Sequence, residues 1–203
     1  MSQAPGLRAR SAIATASFSS SAASRRLIDV EQVRHESLEF PDNPFFNDLC
    51  GSVVAGEIIL VAGAPGSNKS TLARQLVLDL AFRDFRLLQI LTEETPQRVQ
   101  SATIQMSSDM PRAKVRAALS RIHVETGISD VQMLPSFLAS HVLNPHGAYY
   151  GSKLIVLDSI QGPGLSANNF EAYQALINFF TLARASRITV LAICHITKRG
   201  EIA

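Results

Sequence analysis

Four apolar runs are separated by longer stretches in which apolar residues recur every three or four positions. The runs lie at residues 57–62, 87–91, 153–158 and 188–193, and each predicts a strand buried on both faces of a parallel sheet. A shorter strand is predicted at residues 122–124. Strands that alternate with helices predict an α/β fold with a parallel sheet of about five strands and helices on both faces.

The intervening stretches have the spacing of amphipathic helices. Residues 70–83 repeat apolar side chains at helical intervals. Pro96 is expected to open the next helix, because proline is tolerated in a first turn. A third helix is predicted at about residues 130–142, and a fourth at about residues 169–186. The fourth helix is expected to direct five side chains inward, namely Phe170, Tyr173, Leu176, Ile177 and Phe180.

The N-terminal segment has a different composition from the rest of the chain. Residues 1–28 contain no acidic residue and are dominated by serine, alanine and arginine. Such a segment buries too little apolar surface to offset its ordering entropy, so a disordered arm in a cytoplasmic protein is predicted. An organelle transit peptide has the same composition and remains the alternative. Residues 29–50, interrupted by prolines, are predicted to be a lead-in, and residues 51–203 the globular core.

Charge and cysteine content exclude some classes of protein. The formal net charge is +2, which neither requires nor excludes a polyanionic partner. Cys50 and Cys194 lie far apart and no Cys-x-x-Cys pair exists, so neither a zinc site nor a disulfide framework is predicted. No apolar run approaches the roughly 18 residues that a membrane-spanning helix needs.

A glycine-rich turn, GAPGSNKST, connects the first predicted strand to the first predicted helix. Backbone N–H groups in such a loop converge on phosphates, and the helix N-terminus adds partial positive charge. Lys69 is expected to reach the β- and γ-phosphates of a nucleotide and Ser70 to bind Mg²⁺. A glycine-rich turn without a ligand is the alternative. The predicted nucleotide-binding residues are Gly63, Ala64, Pro65, Gly66, Ser67, Asn68, Lys69, Ser70 and Thr71.

Asn68 departs from the phosphate-loop pattern, which has glycine directly before the lysine. Asparagine is the non-glycine residue best able to adopt positive φ, but its side chain adds bulk. We therefore expect weakened or altered nucleotide binding at this loop.

Polar residues follow the other predicted strands. Asp158 is expected to hold Mg²⁺ across from the loop. Glu93 is the preferred general base and Glu94 the second candidate, on a strand expected beside the first. A solvated acidic helix start is the alternative interpretation of this pair. His195 is either a γ-phosphate sensor or an ordinary strand-end residue. Lys198 is either a contact to a neighbouring subunit's nucleotide or a solvated surface charge.

Four segments, in this order, resemble the RadA/Sms family of DNA-repair ATPases. They lie at residues 54–71, 92–96 (TEETP), 157–161 (LDSIQ) and 195–200 (HITKRG). The resemblance implies a RecA-type core that uses ATP and Mg²⁺ and acts on single-stranded or branched DNA in recombinational repair, usually as a homo-oligomeric ring. By analogy, the loop at residues 161–168 and the basic residues near Lys198 would contact DNA.

The resemblance is incomplete in three respects. The family has an N-terminal four-cysteine zinc finger, which this sequence does not contain. The family also continues well beyond the segment that matches residues 195–200, whereas this sequence stops at Ala203. Asn68 replaces the loop glycine, and Arg199 stands where the family has aspartate. A non-catalytic nucleotide-binding or assembly module, or a truncated remnant, is therefore a second hypothesis.

Overall fold

A computed structural model of the protein describes residues 36–161 and 170–196. Within these residues five strands form one sheet in which every pairing is parallel, as the sequence predicts. A separate antiparallel pair precedes it. The strands are β1 (Ser37–Leu38), β2 (Val53–Val54), β3 (Ile58–Gly63), β4 (Leu87–Leu91), β5 (Ile122–Glu125), β6 (Leu154–Asp158) and β7 (Thr189–His195).

Helices cover both faces of the sheet, which confirms the predicted α/β class. A 3₁₀ turn at Val131–Met133 and a π turn at Leu138–Leu143 flank one short helix, and together they occupy the stretch predicted as the third helix. None of the described helices is long and apolar enough to cross a membrane. The helices are α1 (Pro44–Cys50), α2 (Lys69–Phe82), α3 (Pro96–Met106), α4 (Arg112–Leu119), α5 (Leu134–Phe137) and α6 (Phe170–Ala185).

Successive side chains along the strands point to opposite faces of the sheet and belong to two apolar clusters. Leu88, Ile90 and Ile155 pack with α5 and α6 on one face. Leu87 and Val156 belong to the other cluster, with α2 and Ala118 of α4. Because both faces of the central strands are buried, these strands are mostly apolar, and Gln89 of β4 is a buried polar exception.

The described part of the predicted lead-in, from residue 36 onward, packs on the second cluster. Leu38, Phe40 and Phe46 are buried there, and β1 pairs with β2 across the predicted boundary at residue 50. The Asp79 carboxylate on α2 accepts hydrogen bonds from the Asp42 backbone N–H at 3.1 Å and from the Asn43 amide at 3.5 Å. These contacts fix the segment to α2.

The strand order is β3-β7-β6-β4-β5, which corrects two expectations. First, β3 lies at an edge of the sheet, so it is only half-buried and Leu60 is exposed, whereas the sequence suggested burial on both faces. Second, β4 is separated from β3 by two strands, although it was expected beside it. Glu93, which follows β4, is therefore separated from the strand of the phosphate loop by β6 and β7.

The inward face of α6 also differs from the prediction. Leu176 is buried, but Phe170, Tyr173 and Ile177 are 78%, 39% and 55% exposed, so the prediction was wrong for these three. The side chains that cover the sheet are Ala172, Leu176, Phe179 and Ala183. Helix α4 was not predicted, because only Val115 and Ala118 are buried in it.

Candidate nucleotide-binding site

The loop between β3 and α2 has the backbone conformation of a tight phosphate cradle. Asn68 adopts φ 62° and ψ 22°, the left-handed conformation for which asparagine was considered suitable. Gly66 also has positive φ, at 78°. A Cβ on Gly63 would lie 2.6 Å from the Ser67 hydroxyl, so any side chain there would require that hydroxyl to move. The asparagine side chain is exposed and makes no capping hydrogen bond.

The Lys69 side chain lies inside this loop. Although it is cationic, Lys69 is buried, and its ammonium donates to the carbonyl oxygens of Gly63 and Ala64 at 2.8 Å each. The Ser67 hydroxyl lies 3.4 Å from the same nitrogen. Buried charges need such partners. Phosphate oxygens would be stronger acceptors than these carbonyls, so the lysine is positioned to exchange one set for the other.

Ser70 and Asp158 face each other at the start of α2 and the end of β6. The Ser70 side chain lies close enough to the Asp158 carboxylate to lower its pKa by hydrogen bonding. Burial raises the pKa of Asp158, and this effect exceeds the lowering by that hydrogen bond. A carboxylate whose negative form is disfavoured gains from a nearby cation. A hydroxyl and a carboxylate are the hard oxygen ligands that suit Mg²⁺.

Glu93 lies at the same ends of the parallel strands, just beyond β4. Its Oε1 accepts a hydrogen bond from the buried Ser159 hydroxyl at 2.8 Å and lies 3.6 Å from Nε2 of His195. The residue remains about half exposed. It is thus oriented by two neighbours while its second oxygen stays available to a water or a substrate.

Glu94 points in another direction. Its Oε2 pairs with Nη2 of Arg74 on α2, and its Oε1 lies 4.0 Å from Nε of Arg98. Both Arg74 and Glu94 are largely covered. The two adjacent glutamates therefore have different environments, and among the described residues an arginine pairs with Glu94 but not with Glu93.

Two side-chain clamps connect the strand ends that carry these residues. Thr92 donates from its backbone N–H to the Asp158 carbonyl at 2.9 Å, and its hydroxyl accepts from the Ser159 N–H at 2.9 Å. Gln161 binds the His195 backbone on both sides, at 3.1 Å each. These bonds hold β4, β6 and β7 in one register at the site.

The structure brings most of the predicted site residues together and reveals others. Five of the predicted residues lie together at the carboxyl ends of the parallel strands, whereas an arginine holds Glu94 apart from them. The five are Lys69, Ser70, Asp158, Glu93 and His195. Lys198 and residues 162–168 lie outside the described residues. Sequence reasoning missed Arg74, Ser159 and the clamping role of Gln161. Ser159 and Gln161 lie within the LDSIQ segment, which is the one signal that could have identified them.

No metal cluster of protein ligands accompanies the site. Within residues 36–161 and 170–196, no group of three or more histidine, cysteine, aspartate or glutamate side chains could hold an ion. Cys50 and Cys194 are free thiols. An ion at Ser70 and Asp158 would therefore need oxygen ligands from a bound phosphate or water.

Comparison with known proteins relates this arrangement to one family. The AAA domain family matches residues 25–201. DNA repair protein RadA from Chlamydia muridarum (strain MoPn / Nigg) is 28% identical over 161 residues, which cover 76% of this chain and 31% of the relative. RadA from Rickettsia bellii (strain RML369-C) is 30% identical over 76% of this chain and 32% of its own length.

RadA from Chlamydia pneumoniae is 29% identical over 85% of this chain and 35% of the relative. The chain thus spans about a third of the length of the curated relatives it matches.

Proposed function

Since the chain belongs to the AAA domain family and has a RadA-like P-loop ATPase core, we propose that it binds and hydrolyses ATP with Mg²⁺ in DNA repair. The observation that carries the proposal is the convergence of three groups at the carboxyl ends of the parallel strands. These are the buried Lys69 in its loop, the Ser70–Asp158 pair and the oriented Glu93.

Each group has a distinct task in this proposal. The loop N–H groups and Lys69 bind the β- and γ-phosphates. Ser70 and Asp158 hold Mg²⁺, which when bound neutralises charge on those phosphates. Glu93 accepts a proton from the water that attacks the γ-phosphorus, and ADP leaves with the electrons of the broken bond. His195, beside Glu93, donates a hydrogen bond to the γ-phosphate and so reports its presence.

The choice of Glu93 over Glu94 as base depends on their partners. A general base must approach the proton that it abstracts within hydrogen-bond distance, directly or through one water. Glu94 is engaged in an ion pair with Arg74 on α2, and its side chain is only 23% exposed. Glu93 accepts a hydrogen bond from the Ser159 hydroxyl and lies beside His195, and no arginine or lysine of the described residues lies within 4.0 Å of its carboxylate.

Measurements of ATP affinity and phosphate release on the same variants test the proposal. Glu93→Gln should lower turnover by at least about 100-fold while ATP affinity stays within about threefold. Glu94→Gln is the matched control and should retain much more turnover. Lys69→Ala should weaken ATP binding itself. Unchanged turnover in Glu93→Gln would contradict the assignment.

The DNA-repair role rests on the similarity to RadA proteins. We propose that single-stranded or branched DNA contacts the loop at residues 161–168 and Lys198, and that the active form is a homo-oligomeric ring. Single-stranded DNA should then stimulate turnover, and sedimentation with ATP should reveal an oligomer. If the protein remained a monomer and DNA did not change its turnover, the proposed function would be restricted to nucleotide hydrolysis.

A non-catalytic nucleotide-binding module is the second candidate. Asn68 favours it, because its Cβ and amide stand where the phosphate-loop pattern has a bare backbone. Tight ATP binding with no phosphate release in the unmodified chain would support this candidate. If Asn68→Gly then restored turnover, the block would be located at that side chain.

A further inference from the structure

Positive charge is concentrated on α3, α4 and the turn that follows them. Residues 96–121 contain five arginine or lysine residues and one acid, Asp109. The remaining described residues contain seven arginine or lysine residues and thirteen acids. This segment therefore carries a net positive charge, whereas the other described residues together carry a net negative charge. A positive surface of this kind favours a polyanionic partner.

The cations of α4 have no acidic partners. Arg112, Lys114 and Arg116 are exposed, and no carboxylate of the described residues lies within 4.0 Å of them. Lys114 instead lies over the Phe82 ring, 5.0 Å from its centre. Arg112 and Arg116 are one turn apart, so they project from the same side of the helix.

The position of Arg112 supports a role in binding rather than in folding. It is the first residue of α4, where a cation faces the positive end of the helix dipole. No acidic residue in that turn compensates it. A charge that does not favour its own helix, and that pairs with no carboxylate within residues 36–161 and 170–196, is available to an external anion.

A cleft of about 240 Å³ lies between α3, the C-terminal end of α4 and β5. Two exposed glutamines of α3, Gln97 and Gln100, line it together with apolar residues. Its volume is several times the ~30 Å³ that a water molecule occupies, so it can admit a planar ring. The apolar lining residues are Val99, Leu119, Ile122 and Val124.

We propose that this surface binds single-stranded DNA, with phosphates on Arg98, Arg112 and Arg116 and one base in the cleft. The choice of DNA rests on the proposed role in repair. Unpaired bases can leave the stack and enter an apolar cleft, where amides such as those of Gln97 and Gln100 hydrogen-bond their edges. A duplex keeps its bases stacked and could use only the arginines.

The surface begins beside the nucleotide site. Arg98 lies 4.0 Å from Glu94, and Glu94 in turn pairs with Arg74 of the phosphate-loop helix. The proposed surface is separate in sequence from the loop at residues 161–168 and from Lys198. The two DNA contacts can therefore be tested independently.

Fluorescence anisotropy with labelled oligo(dT) of about 20 nucleotides, without ATP, tests the phosphate contacts. Arg112→Gln/Arg116→Gln should weaken binding by about tenfold and lower the slope of log K against log salt by about 1.4. Arg184→Gln/Arg187→Gln removes two exposed arginines elsewhere and should change neither value much. Equal effects of the two pairs, or none from the first, would overturn the proposal.

An abasic oligomer of the same length and a matched duplex test the cleft. Oligo(dT) should bind more tightly than either, and Gln97→Ala/Gln100→Ala should remove that preference without changing the salt slope. A preference that survives in this variant would overturn the role of the cleft. Binding to vesicles rich in phosphatidylserine, with no binding to oligo(dT), would identify a lipid surface instead and overturn the proposal.

These outcomes are distinguishable from failure of the proposed function. Glu93→Gln should bind oligo(dT) normally even though it loses turnover. If Lys198→Gln abolished binding while Arg112→Gln/Arg116→Gln did not, the repair role would stand and the α3–α4 surface would be wrong.

Discussion

Replacing Arg74 by methionine should destabilise the protein by about 2 kcal/mol. The Arg74 side chain is 11% exposed and that of Glu94 is 23% exposed, so the pair lies between a buried and a surface ion pair. Breaking a fully buried pair costs about 3–5 kcal/mol, because a charge is left uncompensated. A fully exposed pair contributes about 0.2–1 kcal/mol. The second arginine, Arg98, is 77% exposed at 4.0 Å and would compensate little.

Urea denaturation near neutral pH measures this cost, and a double-mutant cycle isolates the pair. Arg74→Met/Glu94→Gln should cost less than the sum of the two single variants, by about 1–2 kcal/mol. Glu93→Gln is the matched control, because Glu93 is half exposed and its loss should change stability by less than about 0.5 kcal/mol.

A small effect would refute the reasoning about the two glutamates. If Arg74→Met cost under about 0.5 kcal/mol and the cycle showed no coupling, the ion pair would be a weak surface contact. Glu94 would then be free to act as a base, and the preference for Glu93 would lose its structural support.

Three further predictions concern the loop, the metal ligand and one glycine. Asn68→Ala should destabilise by about 1 kcal/mol because of its left-handed backbone, whereas Asn68→Gly should be nearly neutral; urea midpoints compare them. Burial raises the pKa of Asp158 above its ordinary value near 3.8, so its ionisation lowers stability as pH rises through the folded pKa. Asp158→Asn should therefore stabilise the metal-free protein at neutral pH, and the gain should vanish near about pH 4 in urea titrations. Gly56→Ala should lower the melting temperature, with a cost of about 2 kcal/mol or more, because Gly56 has φ 95° and a Cβ would lie 3.0 Å from the Arg184 carbonyl oxygen.

The strands and the phosphate loop could be predicted because their signals are local. Residues 87–91 form a strand as predicted, and Pro96 begins α3. The left-handed backbone at Asn68 follows from the loop pattern, in which a residue able to adopt positive φ must precede the lysine. Each of these features depends on a few neighbouring residues, so a sequence pattern is sufficient.

Features that depend on distant partners could not be predicted in the same way. The edge position of β3 is set by which strands pair, and pairing is a property of the whole sheet. Helix α6 is apolar on two sides, and periodicity alone favours the side with the larger residues. The sheet instead accepts the side with Ala172 and Ala183, because small residues allow a helix to approach closely.

The different environments of Glu93 and Glu94 follow from the backbone rather than from their identity. Residues 92–94 form a bend between β4 and α3. This bend directs Glu93 towards Ser159 and His195, and Glu94 towards Arg74 on α2. One side carries a hydroxyl and an imidazole, and the other a guanidinium. Two identical carboxylates that are adjacent in the sequence therefore acquire different partners, and a sequence pattern that sees only their identity cannot tell them apart.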